Sequence, residues 1–194
     1  MKLIWKGKMT TDNLFIPDNI PDSAKMLSSE KYTWLVYLLV VPILAIAYAG
    51  IVIRRPYVVG IAFNKIAFFI GVGLSIVFLV VHELIHALCC PRDTTVFVYL
   101  TSSGIGCVPA CGLKKNRYLL VALMPTIVLG VIPFIIWICF PGMNVIISSI
   151  LFAFSIGSLS MCVGDIYNAF LAAFKMNRRS VLVTSKTDIY YYNE

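Results

Sequence analysis

The sequence predicts an all-α membrane protein of about four transmembrane helices, with a short β-strand or hairpin in the loop after the second helix. Its 194 residues are 60% hydrophobic and 13% charged, with a mean hydropathy of +0.89, whereas soluble domains are usually about 45–50% apolar. Several apolar stretches also reach the roughly 20 residues that a bilayer-spanning helix needs. These observations exclude an ordinary soluble globular domain and favour one membrane domain over residues 1–194.

The chain opens with a polar segment, residues 1–31, that lacks the apolar core of a cleavable signal peptide. We therefore expect the first membrane helix to act as its own insertion signal. Within this segment, the apolar run of residues 3–5 between lysines favours a short strand or a position at the membrane interface.

Four apolar stretches predict the membrane spans. They cover residues 33–53, 66–90, 118–140 and 145–174. The last stretch is about 30 residues long, which is longer than a helix needs to cross the bilayer perpendicularly. We expect it to tilt, to break near Gly157 or Gly164, or to project from the membrane.

Three segments that are flanked by polar residues have the composition typical of β-strands. Residues 94–100 are β-branched and aromatic, and the tail contains two further candidate strands at 181–184 and 188–192. Non-helical backbone at membrane depth must be covered by protein or line a cavity. We expect the 94–100 segment to pack against the functional site.

The distribution of Lys and Arg predicts the topology. With four spans, thirteen of these residues lie on the side of the two termini and three on the other. Because positive charge is enriched in cytoplasmic loops, both termini are predicted to be cytoplasmic. The net charge of +7 is then explained by loop charges that orient the chain in the bilayer. The chain shows no basic face with interleaved aromatic residues, which would indicate nucleic-acid binding.

The second span carries H-E-L-I-H at residues 82–86, near its cytoplasmic end. On a helix, His82 and His86 lie one turn apart on one face with Glu83 beside them. This spacing is typical of a Zn²⁺ site in which Glu83 acts as the general base of peptide hydrolysis.

Two further observations strengthen the motif. His82 and His86 are the only histidines of the chain, and ionisable groups inside apolar segments are costly unless a compensating charge is present. The alternative is that the histidines form hydrogen bonds with a neighbouring helix and that Glu83 forms an ion pair with a Lys or Arg. However, no Lys or Arg occurs between Lys65 and Arg92.

The third metal ligand cannot be a histidine, and Asp165 in the last span has suitable chemistry. Under the predicted topology, His86 and Asp165 lie roughly 9 and 15 Å inward from their cytoplasmic ends, so they can share a depth. The alternative is that Asp165 pairs with a polar residue or lines a helix contact. Asn168, three residues later, lies on the same helix face as Asp165. Its side chain can hydrogen-bond a metal ligand, an oxyanion or a neighbouring helix.

The six cysteines offer a competing metal site. Cys107 and Cys111 have a C-x-x-x-C spacing, but no second pair accompanies them. We interpret all six as packing residues, with metal binding or disulfide formation by Cys107 and Cys111 as the alternative.

Several motifs together resemble a bacterial family of integral-membrane zincin peptidases. They are M-K-L-I-W-K-G at residues 1–7, H-E-L-I-H at 82–86, A-L-M-P at 122–125, L-G-V-I-P at 129–133 and G-D-I-Y at 164–167. The chain is more distantly similar to the site-2 proteases, although its aspartate stands in Gly-Asp-Ile and not in Leu-Asp-Gly. The resemblance implies His82, His86 and Asp165 as zinc ligands and Glu83 as general base.

The sequence therefore predicts a zinc peptidase in a bacterial cell membrane, acting on membrane proteins or peptides near the cytoplasmic leaflet. An open edge of the 94–100 strand, including Val96 and Val98, would bind unwound substrate. The alternative is a non-proteolytic metal-binding scaffold or a metal-transport protein. Glu83 favours the enzyme, because neither alternative needs a general base beside the first ligand.

Overall fold

A computed structural model describes residues 1–10, 12–17, 20–28, 36–57, 63–101, 104–185 and 188–193. The helices are α1 (Val40–Arg54), α2 (Lys65–Val77), α3 (Leu79–Cys89), α4 (Lys115–Pro125), α5 (Ile132–Cys139), α6 (Val145–Met161) and α7 (Val163–Lys175). The strands are β1 (Lys2–Lys8), β2 (Lys25–Ser28), β3 (Thr95–Thr101), β4 (Gly104–Pro109), β5 (Leu113–Lys114), β6 (Ser180–Ser185) and β7 (Asp188–Asn193).

Three helical segments are each long and apolar enough to cross a membrane, which indicates a membrane protein. They are Tyr37–Tyr57, Lys65–Cys89 and Lys115–Cys139. The fourth predicted span is the pair α6 and α7, which is bent by 50°. Within the described residues, three helical segments are thus candidates for membrane spans, or four if the bent pair counts as one. Residues 33–35 of the first predicted span lie outside the described part of the chain.

The helices that approach the functional site are interrupted. Phe78 separates α2 from α3, and Cys162 separates α6 from α7, close to the predicted break at Gly164. Between α4 and α5 the chain forms a π-helical turn over Thr126–Val131. Pro133 lies two residues after this turn, at the start of α5, and a proline cannot donate the usual hydrogen bond to the preceding turn of a helix.

Small residues bring α2 and α6 close together. A Cβ atom at Gly71 would lie 2.4 Å from the carbonyl oxygen of Ile150, and one at Gly157 would lie 2.4 Å from the hydroxyl of Ser75. Such close approach is typical of helix pairs in membranes, where small side chains allow backbone packing. Because α3 follows α2 and α7 follows α6, this contact also aligns the two helices that carry the site.

The structure corrects the all-α expectation, because it contains two β-sheets. One has the order β1-β3-β4 and the other β2-β7-β6-β5. The predicted strands at 94–100, 181–184 and 188–192 are present as β3, β6 and β7. β3 pairs with the adjacent β4, and β6 with the adjacent β7, but each sheet also contains partners from distant parts of the chain, as in the parallel pairing of β1 with β3. Local sequence patterns do not report such long-range pairing.

The expectation of an open edge on the 94–100 strand was wrong. β3 is the central strand of its sheet, since Val96 pairs with Leu3 on one side and with Pro109 on the other. Val98 is likewise paired on both sides. The side chain of Val96 is fully buried in a cluster that includes Ala87 of α3. The free edge on this side of the sheet belongs to β4.

Candidate metal centre

α3 places the three polar residues of the H-E-x-x-H motif at its centre. The imidazole rings of His82 and His86 meet edge to face with centroids 4.6 Å apart, and their Nε2 atoms are 3.0 Å apart. His82 is buried, and the side chain of His86 is 13% exposed. One helical turn therefore directs both Nε2 atoms to the same point, as the i, i+4 spacing requires.

Asp165 approaches this point from the first turn of α7. Its Oδ2 atom lies 3.0 Å from Nε2 of His82 and 3.3 Å from Nε2 of His86. The side chain of Asp165 is 28% exposed, so the carboxylate faces open space on one side. The structure thus brings together the three residues that the sequence named as candidate ligands.

The three donor atoms suit a zinc ion. They lie 3.0–3.3 Å from one another, and the ligand atoms of a tetrahedral zinc with bonds of about 2.0–2.1 Å are about 3.3 Å apart. Two imidazole nitrogens and one carboxylate oxygen are typical zinc ligands, and three protein ligands is the number that catalytic zinc sites use. No other group of three such residues with this spacing occurs in the described part of the chain.

Each histidine also has a partner for its outer ring nitrogen. Nδ1 of His86 lies 2.8 Å from the carbonyl oxygen of Val121 in α4. Nδ1 of His82 lies 3.5 Å from Sγ of Cys162, at the bend between α6 and α7. Such outer contacts fix the ring orientation and leave Nε2 free to bind a metal.

Glu83 lies beside the histidines without joining the triangle of donors. Its Oε1 atom is 4.0 Å from Nε2 of His82, and its side chain is 15% exposed. The thiol of Cys107, on β4, lies near this carboxylate and interacts with it electrostatically. Among the described residues no Lys or Arg forms an ion pair with Glu83, so the structure does not support a Lys or Arg partner for it.

A cavity of about 820 Å³ reaches two members of this group, His86 and Asp165. His86, Asp165 and Asn168 line it from the helices, and Cys107 and Pro109 line it from β4. Val96 and Leu100 of β3 also line the cavity, so the strand at 94–100 packs at the site, as the sequence suggested. Asn168 shares the cavity with Asp165, and its proposed contact to an oxyanion stays a prediction.

The six cysteines are all free thiols. Cys111 contacts the hydroxyl of Thr94 at 3.2 Å, and no metal-binding group in the described chain includes Cys107 or Cys111. The interpretation of every cysteine as a packing residue did not predict the contacts of Cys107 with Glu83 and of Cys162 with His82. Of these two contacts, only that of Cys162 could have been suspected from the sequence. Cys162 lies one helical turn before the candidate ligand Asp165.

Two basic residues at the start of α4 hold the ends of both helices that carry the site. Nζ of Lys115 donates to the carbonyl oxygens of Ala173 and Met176, both at 2.6 Å, at the end of α7. The guanidinium of Arg117 donates to the carbonyl of Cys90 at 3.1 Å, just after α3. Cations satisfy the free carbonyls and the negative dipole end of a helix, so α4 ties α3 and α7 together.

Comparison with known protein families finds a match. The family model described as "Putative zincin peptidase" matches residues 75–181, more than half of the chain. This range contains the H-E-x-x-H motif, the β3-β4 hairpin and Asp165. No curated protein and no solved structure matches the chain. Since the match runs from the end of α2 into β6 and covers the whole candidate metal centre, the chain belongs to this zincin peptidase family.

Proposed function

We propose that this protein is a membrane-embedded zinc peptidase that hydrolyses peptide bonds of membrane-associated or transmembrane substrates. The observation that carries the proposal is the convergence of His82, His86 and Asp165 on one point beside Glu83. Membership of a zincin family supports zinc as the metal and peptide hydrolysis as the reaction.

His82, His86 and Asp165 are the proposed zinc ligands. A zinc ion in such a site acts as a Lewis acid that activates water and polarises a carbonyl. Two neutral imidazoles and one carboxylate offset half of the charge of the dication, and the histidine rings are held by Val121 and Cys162. These contacts prepare the ligands in the geometry that the metal needs.

Glu83 is the proposed general base. It takes a proton from the attacking water and passes it to the nitrogen of the leaving amine. Its position fits this role, because the carboxylate lies close to His82 but outside the donor triangle. Asn168 lines the same cavity and is proposed to donate a hydrogen bond to the developing oxyanion or to a ligand.

The free edge of β4 is the proposed binding surface for the substrate main chain. The N–H of Ala110 donates to the carbonyl of Thr95, which fixes the hydrogen-bonding register of β4 with β3. In that register, the N–H and C=O groups of Ile105 and Cys107 point away from β3. An extended peptide can pair with these groups beside Glu83, with little selectivity for its sequence.

The proposed location is a bacterial cell membrane, with both termini in the cytoplasm and the site near the cytoplasmic leaflet. The excess of Lys and Arg on the side of the termini supports this orientation. Substrates in or at the membrane are proposed because His82, Glu83 and His86 lie on a helical segment that is long and apolar enough to cross one.

The test is the substitution Glu83→Gln in purified, zinc-loaded protein, with cleavage of a mixture of unstructured peptides read by mass spectrometry. We expect cleavage to fall by at least about 100-fold, because an amide cannot accept the proton. Zinc content, measured by elemental analysis, should stay at the wild-type level. Undiminished cleavage in this variant would exclude Glu83 as the base. Wild-type protein that binds zinc but cleaves nothing would favour the metal-binding scaffold or transport role.

A further inference from the structure

The buried thiol of Cys162 faces a zinc-ligand candidate from the side opposite to the metal position. Its Sγ atom lies 3.5 Å from Nδ1 of His82, a distance that suits the large radius of sulfur. Cys162 is completely buried, and His82 is 5% exposed. Bulk water therefore does not hydrogen-bond Nδ1 of His82. A buried polar group needs a hydrogen-bond partner within the protein.

Both ring nitrogens of His82 are thus contacted by one short segment of chain. Cys162 sits at the 50° bend between α6 and α7, and Asp165 follows it by one helical turn. Sγ meets Nδ1 at 3.5 Å, and Oδ2 of Asp165 meets Nε2 at 3.0 Å. The bend therefore places the imidazole ring between two side chains of the same short segment.

We propose that Cys162 is a positioning residue, whose sulfur accepts a hydrogen bond from Nδ1–H of His82 and keeps Nε2 unprotonated toward the metal. This inference rests on the proposed zinc site. His86 has the equivalent contact from the carbonyl of Val121, so each ligand histidine is oriented by a different kind of acceptor. A sulfur atom fits this place because it can be buried among apolar side chains at much lower cost than a carboxylate.

The chain provides a clear test, because His82 and His86 are its only histidines. The variants are Cys162→Ala, which removes the acceptor, and Cys162→Ser, which retains one. The control is Cys139→Ala, since Cys139 is an exposed cysteine at the end of α5 that does not line the cavity of the site. Zinc affinity is measured by competition with a chelator, and ¹⁵N-histidine NMR reports Nδ1 of His82.

We expect Cys162→Ala to weaken zinc binding by about 10- to 100-fold and to shift the Nδ1 resonance of His82. Cys162→Ser should retain most of the affinity, and Cys139→Ala should match the wild-type protein in both measurements. The inference is overturned if Cys162→Ala changes neither the affinity nor the resonance. It is also overturned if Ala and Ser variants lose affinity equally with the resonance unchanged, because the cysteine would then only fill space.

These measurements separate the positioning role from the proposed function. If the wild-type protein binds zinc but shows no cleavage, the peptidase proposal fails while the affinity series still tests Cys162. If it binds no zinc, the zinc site fails, and the Nδ1 resonance in metal-free protein still reports whether the sulfur contacts His82.

Discussion

Oδ2 of Asp165 lies 3.0 Å from Nε2 of His82, although the two residues belong to helices that are far apart in the chain. Several features position the two helices that carry this contact. The close packing of α2 on α6 aligns the helices, the bend at Cys162 turns the start of α7 toward α3, and Lys115 and Arg117 tie their ends. The contact places a carboxylate beside two imidazoles within apolar segments, where an unpaired charge would be costly.

We predict that Asp165→Ala lowers zinc occupancy and abolishes cleavage, because it removes one of three ligands. Asp165→Asn should also bind zinc poorly, since the amide lacks the negative charge that offsets the dication. Elemental analysis of purified protein measures occupancy. Asp188→Asn is the control, as this carboxylate lies in β7. Wild-type occupancy in both Asp165 variants would rule out the aspartate as a ligand.

We predict that Ile105→Pro weakens substrate binding through β4. The substitution removes an N–H that points away from β3, so the pairing with β3 should persist. Pro109 already occupies a position of the same register. The value of KM for unstructured peptides should rise by roughly tenfold, which corresponds to the loss of about one hydrogen bond. Ile105→Val is the control for the side chain, and an unchanged KM in the proline variant would exclude this edge as the binding surface.

The topology predicts that both termini are cytoplasmic and that the turn at residues 141–144 faces the other side of the membrane. Reporter fusions at each terminus test the first part. For the turn, Gly142→Cys in a variant without the native cysteines allows labelling by an impermeant thiol reagent. Labelling from outside intact cells is expected at residue 142 only. Termini found on the outside would place the metal centre near the opposite leaflet.

We predict that Lys115→Met destabilises the protein, because the carbonyls of Ala173 and Met176 lose a charged donor. Hydrogen bonds to charged groups contribute about 1.5–3 kcal/mol each, so thermal unfolding in detergent should shift downward measurably. Zinc should also be lost at a lower temperature, since α7 carries Asp165. Lys114→Met, at an exposed neighbouring position, is the control. Equal melting temperatures in the two variants would show that this contact does not stabilise α7.

Local chemistry in the sequence determined much of the candidate site. The H-E-x-x-H spacing fixes the relation of His82, Glu83 and His86 on any helix, because 3.6 residues form one turn. The absence of other histidines and the scarcity of carboxylates in apolar segments left Asp165 as the natural third ligand. The strand at residues 94–100 was also predictable, since β-branched and aromatic residues favour a pleated, half-buried surface.

Tertiary structure alone decided how these pieces combine. The pairing of β1 with β3 buries the predicted open edge and leaves β4 free, because strand order depends on contacts between distant segments. The contacts of Cys162 with His82 and of Cys107 with Glu83 depend on a helix bend and on the packing of a hairpin. Composition and periodicity describe one segment at a time. They do not contain the relative placement of segments, which is set by packing across the whole chain.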